Sequence, residues 1–386
     1  MIVPVHPHVL RWARETRLLT VAQAALRLGW AIERLEAVEH SDEIDNEDLE
    51  SLASCYKLST ATLLMPDTLP ADRYPPRTID DYRLHYRAEQ EPLSIKTQVY
   101  VENAFELIEL LDEINDADPD VAPRPLLPFA ELTDNPAHIA RRERARIGVD
   151  IEAQLGWEKD KEAFLRWREI VEAQDVVVHK LAMDEPHVRG FAVYRKGYGL
   201  VAINSNDHLR ARIFTLFHEY AHILLHMGGI SDQNRQVPVE RWCNQFAANF
   251  LMPEVPFQQE YERLFPNGEV SDWAVARLAS RFKVSKASAA IRFEELGIAE
   301  PGFYDRLKAE WEQGQKHRAG GSGGNDAIET DLGRFGTAHV TTIAHALERG
   351  VIDRLEAQYA LDVPADHWPL LTVAARERLR AYGPAR

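Results

Sequence analysis

Cysteine and long apolar runs are what this chain of 386 residues has least of, and each shortage excludes a class of protein. Two cysteines, Cys55 and Cys243, cannot build a disulfide framework and lack the spacing of a metal site, so they indicate a reducing compartment. No run of about 18 apolar residues is present, which excludes an ordinary transmembrane helix. The first residues, MIVPVHPHVLRWARE, lack the apolar segment and cleavage site of a signal peptide. We therefore expect a cytoplasmic protein without a membrane partner.

Positive charge is also in short supply. The sequence holds 45 Lys and Arg against 61 Asp and Glu, a formal net charge of -16. This balance excludes a surface built as a whole for nucleic acid, so that any DNA contact must be local. With 45% hydrophobic residues, the chain is long enough for two or three domains with cores of their own.

Residues 8–65 alternate apolar and polar positions at helical spacing and predict four or five short helices. Thr20 is the expected N-cap of VAQAALRL, Gly29 ends that helix, and AIERLEAVE follows after a tight turn. This layout is typical of a helix-turn-helix. The stretch LESLASCYKLSTATLLMP then predicts a closing amphipathic helix.

The rest of the chain mixes helices with a few strands. A linker rich in Pro and Asp (67–83) precedes helical patterns near 90–116, 137–154 and 160–174, and three β-like runs follow at 176–181, 190–195 and 199–204. We predict an α+β fold, mainly α, with a small sheet in its core. The predicted domains are 1–66, a helix-turn-helix; 67–145, a linker and helical connector; 146–297, the core with a trailing helix pair; and 298–386, a glycine linker (319–325) and helical tail.

The run RIFTLFHEYAHILLHMGG (212–229) is apolar enough for a buried helix, yet it carries His218, Glu219 and His222. An unpaired imidazole or carboxylate costs several kcal/mol in a core, so these groups need partners. His218 and His222 are four residues apart, on one helical face, and can bind one metal ion. Glu219 points about 100° away, beside the ion, where a general base acting on a water would stand. A chance His-Glu-x-x-His pattern on a structural helix is the alternative.

A second helix, VPVERWCNQFAANFLMP (237–253), offers the third ligand. Glu240 completes a set of two imidazoles and one carboxylate, with the fourth position open. Asn244 lies one turn further on, where it can hold a hydrogen bond to a ligating His. The alternative role of Glu240 is a carboxylate that interacts with the helix dipole in the first turn. His226 lies about 12 Å along the helix from His218, too far to share its ion, so we expect an outer or structural role.

These two helices together resemble the ImmA/IrrE family of zinc-dependent endopeptidases, whose signature is this pairing. The resemblance implies a zincin-like core, Zn²⁺ held by His218, His222 and Glu240, and a catalytic role for Glu219. It also implies that residues 1–66 are an XRE-type helix-turn-helix, because LRWARETRLLTVAQAALRLG with LASCYKLSTATLLMP resembles that module. Family members cleave a partner repressor of the XRE type, which implies control of stress, mobile-element or toxin-antitoxin genes.

The chain departs from the family pattern in two places. It has Trp242, Cys243 and Asn244 where many members read Glu-Ala-Asn, which makes Glu240 the stronger ligand candidate. The helix expected to read DNA, AIERLEAVE, carries three glutamates against Arg34, so DNA binding through residues 1–66 is in doubt. Residues 275–293 are the better candidate for DNA contact, because this stretch contains no Asp or Glu and has five basic residues: Arg277, Arg281, Lys283, Lys286 and Arg292. A solvated helix face is the alternative.

Two functions from different classes remain open. The first is a zinc endopeptidase that cleaves a regulatory protein. The second is a DNA-binding regulator or antitoxin-like protein whose metal centre is structural or sensory. Glu219 separates them, because a purely structural site has no use for an acid between two His ligands.

Overall fold

The computed structural model describes residues 1–17, 19–67, 80–81, 93–117, 127–185, 187–231, 237–314, 327–364 and 366–383. The chain divides into two compact units. The first comprises Met1–Ile79, Glu89–Glu106 and Asp184–Pro186, and the second comprises Asp80–Ala88, Leu107–Met183 and His187–Arg386. The predicted boundaries at residues 145 and 297 both lie inside the second unit. The two predicted linkers lie outside the described residues, apart from Asp67 and residues 80–81.

The first unit is built from short helices and one strand pair. In chain order its elements are β1 (Ile2–Pro4), α1 (Pro7–Thr16), α2 (Val21–Leu28), α3 (Ile32–Val38), β2 (Glu43–Asp45), α4 (Asn46–Tyr56) and α5 (Thr60–Leu63). Thr20 caps α2 through a reciprocal pair of bonds with Gln23, and Gly29 ends it at φ 67°. The predicted helix and both of its caps are confirmed. The assignment to the XRE type stays a prediction.

Two features of this unit differ from the prediction. The closing helix is split, because Lys57 adopts a left-handed conformation and Ser59 caps the new helix α5. Strands β1 and β2 were not predicted; β2 lies in EHSDEIDNE, which the sequence marks only as a helix break. Neither strand is longer than three residues, so the sequence shows no alternation from which to recognise it.

The second unit begins with β3 (Asp80–Asp81), and helix α6 (Ile95–Ala117) contributes residues to both units. The elements up to the end of the sheet are α7 (Pro136–Ile147), α8 (Ile151–Gly156), α9 (Asp160–Glu172), β4 (Val176–Leu181), β5 (Gly190–Arg195), β6 (Tyr198–Asn204), α10 (Leu209–Leu224) and β7 (Gly229–Ser231). The helices that follow are α11 (Pro238–Leu251), α12 (Glu254–Leu264), α13 (Asp272–Phe282), α14 (Lys286–Glu295), α15 (Phe303–Gly314), α16 (Ala327–Phe335), α17 (Thr337–Glu348), α18 (Arg354–Leu361) and α19 (Trp368–Tyr382).

Helices dominate this fold around one small sheet, so the prediction of an α+β protein that is mainly α is confirmed. All three predicted strands are present as β4, β5 and β6. The single helix predicted at 137–154 is two helices, because Gly148 at φ 75° ends α7. Of the described residues, none lies in a helix that is long and apolar enough to cross a membrane.

The sheet has five strands in the order β3-β7-β5-β6-β4. Strand β6 pairs parallel with β4 and antiparallel with β5, and β5 pairs antiparallel with β7. Helix α10 packs against β5 and β6, where Ala192, Val201 and Ile203 share a core with Leu216 and Phe217. The sheet therefore forms the wall against which α10 is held.

The C-terminal helices attach to the core through buried charges. Glu172 on α9 accepts hydrogen bonds from the backbone N–H groups of Thr337 and Ala338, at the start of α17, each at 3.0 Å. Arg168 donates to Glu172 at 2.9 Å and to the carbonyl of Gly333 at 2.6 Å. Because a carboxylate at a helix N-terminus satisfies otherwise unpaired donors, these contacts fix the tail to α9.

Glu169 gives this contact a pH dependence. Its carboxylate accepts a bond from the Thr337 hydroxyl, and burial, then the neighbouring Glu172, raise its pKa to about 7. In an unfolded chain a glutamate titrates near about 4.3, so the stability that this group contributes is lost as pH rises towards 7. At about pH 8 we expect Glu169→Gln to raise the free energy of unfolding of the second unit by on the order of 2–3 kcal/mol, and so to raise its melting temperature. At about pH 5 the substitution should have little effect on either quantity.

The matched control is Glu162→Gln on the same helix. The pKa of Glu162 is lowered, mainly by a hydrogen bond from Arg166. Removing this carboxylate should therefore not raise the stability at high pH. If the melting temperatures of Glu169→Gln and the wild type changed by the same amount between about pH 5 and about pH 8, the raised pKa of Glu169 would be contradicted.

Candidate metal centre

Helix α10 carries the His-Glu-x-x-His sequence, and its last twelve residues apart from Phe214 are buried. It starts after His208, and Arg212 donates to the carbonyls of Ser205 and Asp207. The helix ends at Leu224, and His226 two residues later is left-handed at φ 53°. The ligand candidates thus lie within the last two turns of a helix anchored at both ends.

Helix α11 places Glu240 opposite α10. Pro238 is the first residue of this helix, and Glu240 is fully buried in the same first turn. Trp242 and Phe246 of α11 stack on each other and share the core with α10. This packing holds the Glu240 carboxylate against the imidazoles of α10.

The structure brings His218, His222 and Glu240 together. Nε2 of His218 lies 3.3 Å from Oε2 of Glu240, and Nε2 of His222 lies 3.1 Å from Oε1. One ligand atom of each of the three residues lies within 4.8 Å of the other two. Ligands of a tetrahedral ion with bonds of about 2.0–2.2 Å stand about 3.3–3.6 Å apart. The donor set and its spacing therefore fit one metal ion.

Charge in this cluster suits a cation. Burial by itself would raise the pKa of Glu240, but the adjacent His218 and His222 offset it and hold that pKa well below its usual range. Burial is also the main cause that lowers the pKa of His222, with Glu240 acting in the opposite direction. An ionised carboxylate and a neutral imidazole are the forms in which these side chains bind metals.

Asn244 orients the first imidazole. Its Oδ1 lies 3.1 Å from Nδ1 of His218, which assigns the proton to Nδ1 and leaves Nε2 to face Glu240. The predicted hydrogen bond between Asn244 and a His of the cluster is thus confirmed, with the Asn244 oxygen as the acceptor. Such outer contacts fix the tautomer of a metal-binding histidine.

Glu219 is fully buried and lies beside the cluster. A Cβ atom built on Gly190, the first residue of β5, lies 2.8 Å from Oε1 of Glu219. Only a glycine leaves room for the carboxylate there, and Gly190 was not predicted as a site residue from the sequence. The available signal was a glycine at the start of an apolar strand, which often marks a close approach. The catalytic role of Glu219 stays a prediction.

The other singled-out side chains lie outside the cluster. Within the described part of the chain, His226 does not join the three candidate ligands; it stacks on Tyr194 at a ring distance of 4.0 Å. Cys243 is a buried free thiol whose pKa is raised by burial, then by Glu240 and Glu219. Cys55 is free and partly buried.

Most of the basic residues at 275–293 are engaged within the fold. Arg281 donates to Glu260, and Lys286 pairs with Asp272, both at 2.5 Å. Lys283 and Arg292 are buried and donate to backbone carbonyls, while Arg277 is exposed. These contacts weaken the case for a phosphate-binding face here.

Residues 171–294, which carry β4, β5, β6, α10 and α11, match the family model Peptidase_M78, described as an IrrE N-terminal-like domain. The resemblance seen in the sequence is confirmed for this domain.

One curated relative extends the comparison beyond the Peptidase_M78 domain. The chain is 30% identical over 208 residues to the "Radiation response metalloprotease IrrE" of Deinococcus radiodurans. The alignment covers 49% of this chain and 56% of the relative, so the chain spans about half the length of the curated relative that it matches.

Proposed function

We propose that this protein is a zinc-dependent endopeptidase of the His-Glu-x-x-His type. The observation that carries the proposal is the buried cluster of His218, His222 and Glu240, together with the buried side chain of Glu219, which follows His218 on α10. The Peptidase_M78 match and the relative named as a metalloprotease support it.

His218, His222 and Glu240 would hold the ion, and Asn244 would keep the His218 ring in its ligand orientation. Zinc bound there supplies Lewis acidity for the scissile carbonyl and lowers the pKa of a water towards about 7. Glu219 takes the proton of the attacking water at its carboxylate and passes it to the leaving amine. Gly190 keeps the space that this carboxylate needs.

The proposed substrate is a regulatory protein, a repressor of the XRE type, whose cleavage would change transcription of stress, mobile-element or toxin-antitoxin genes. We expect a single cut in a small XRE-type repressor encoded beside this protein, with no hydrolysis of casein. Mass spectrometry of both digests provides the test. Efficient digestion of many unrelated unfolded proteins would contradict this selectivity.

The rival function is a DNA-binding regulator whose metal centre is structural or sensory. Buried Glu219 favours the enzyme, because a closed structural site gains nothing from an uncoordinated carboxylate next to its ligands. The rival requires a DNA-reading surface, and the N-terminal unit is the place to look for one.

We propose that the N-terminal unit docks a protein and does not read DNA. Of the three glutamates on or just after α3, Glu39 is buried and accepts bonds from Arg14 at 2.7 and 3.0 Å. Glu33 and Glu36 are exposed, and Arg34, the base between them, is paired with Asp48. The exposed side of α3 therefore repels a phosphate backbone.

The full-length protein should show no sequence-selective retardation of DNA at about 100 mM salt, where a basic helix-turn-helix still binds. The control is the variant Glu33→Lys/Glu36→Lys, which should gain salt-dependent binding if charge alone prevents it. Tight, sequence-selective binding by the wild type would support the regulator instead.

A further inference from the structure

The outer edge of β5 lies next to the proposed general base. The Glu219 carboxylate lies directly against the backbone at Gly190, where β5 begins. Extended peptides bind proteins by adding a strand to a sheet edge, through main-chain hydrogen bonds. A peptide added to β5 at this point would run past Glu219 with its backbone held in place.

The chain fills this edge with its own residues. Strand β7 pairs antiparallel with β5, with Ser231 opposite Gly190, Ile230 opposite Phe191 and Gly229 opposite Ala192. Strand β3 in turn pairs with the outer side of β7. The pairing with β7 begins at Gly190, so a peptide cannot pair with β5 beside Glu219 while β7 is there.

Glycine marks the start of β7. The strand begins at Gly229, directly after Gly228. A glycine weakens a strand because it has no side chain to pack and loses much conformational freedom on ordering. Ile230 is 2% exposed, and it gives β7 a buried apolar side chain.

We propose that β7 is a self-inhibitory strand, and that an extended segment of the protein substrate binds to β5 in its place. The ligand of this edge is an unfolded peptide recognised mainly through its main chain. The inference rests on the proposed peptidase function.

The first test loosens the strand in the zinc-loaded, full-length protein. Ile230→Ser removes its buried side chain, and Ile343→Ser makes the same change at a fully buried site on α17 as a control for general destabilisation. The readouts are hydrogen exchange of peptides that cover β5 and affinity for a fluorescein-labelled peptide hydroxamate. In Ile230→Ser we expect about tenfold faster exchange in β5 and at least fivefold tighter binding, and neither change in Ile343→Ser.

A second variant keeps the proposal testable if Ile230→Ser does not fold. Ala192→Cys/Gly229→Cys joins two directly opposite residues, so oxidation locks β7 onto β5. Oxidised protein should bind the hydroxamate at least tenfold more weakly than the same protein after reduction, while the two single variants show no such difference. Equal affinity in both states would overturn the proposal.

Faster exchange in β5 without tighter binding would also overturn it, because β7 would then have left an edge that no peptide uses. Failure of the underlying function has a different signature. Wild-type protein that takes up no zinc, measured by metal analysis before the binding experiment, contradicts the peptidase proposal whatever β7 does.

Discussion

Glu219→Gln is expected to abolish peptide-bond cleavage while the protein keeps its full zinc content. The side chain is fully buried beside the cluster but is not one of the three residues whose ligand atoms converge. Glutamine keeps the shape of glutamate and cannot take a proton from water. General acid-base groups contribute about 10²–10⁴-fold to rate, so kcat on the cognate repressor should fall by at least that much.

The matched control for this variant is Glu143→Gln. Glu143 is an equally buried glutamate on α7, and it accepts hydrogen bonds from Tyr220 and Arg146. Its variant should still cleave, after circular dichroism has shown that it is folded. Loss of zinc in Glu219→Gln, or full cleavage without the carboxylate, would remove Glu219 from the proposed catalytic role.

Replacing Glu240 by Ala should weaken zinc retention by about one to two orders of magnitude. The variant removes the carboxylate whose two oxygens lie 3.1 and 3.3 Å from the two imidazoles. Two histidines on one helix remain, and two ligands hold zinc more weakly than three. Competition with a chromophoric chelator measures the change.

Glu254→Ala is the control, because Glu254 is the next acid along the chain and is exposed at the start of α12. It should retain zinc like the wild type. Equal retention by Glu240→Ala would favour the alternative, in which Glu240 only complements the dipole of α11.

Much of the candidate site is predictable because its signals are local. His218 and His222 share a helical face by spacing alone, and the apolar residues around them reveal burial. The caps of α2 and the three strands β4, β5 and β6 are likewise predictable from short stretches of sequence. Glu240 required one more step, the recognition that a second apolar helix carries a single early acid.

What the sequence does not reveal depends on pairing between distant segments. Strand β7 has three residues, too few for a periodic signal, and it exists because β5 offers a partner. The close approach of Glu219 to Gly190 follows from how α10 is placed on the sheet. The hydrogen bond from the Thr337 hydroxyl to Glu169 joins residues 168 positions apart in the chain. Charge counts mislead for the same reason, since Arg281 and Lys286 have acidic partners outside their own stretch.

The zinc stoichiometry of the purified protein tests the assignment of the metal centre. We predict about one zinc per chain in the wild type and none in His218→Ala/His222→Ala, measured by inductively coupled plasma mass spectrometry on protein folded to the same extent. The double variant keeps Glu240 and both cysteines, so any other metal site remains intact. Full zinc content in that variant would contradict the assignment of the metal centre.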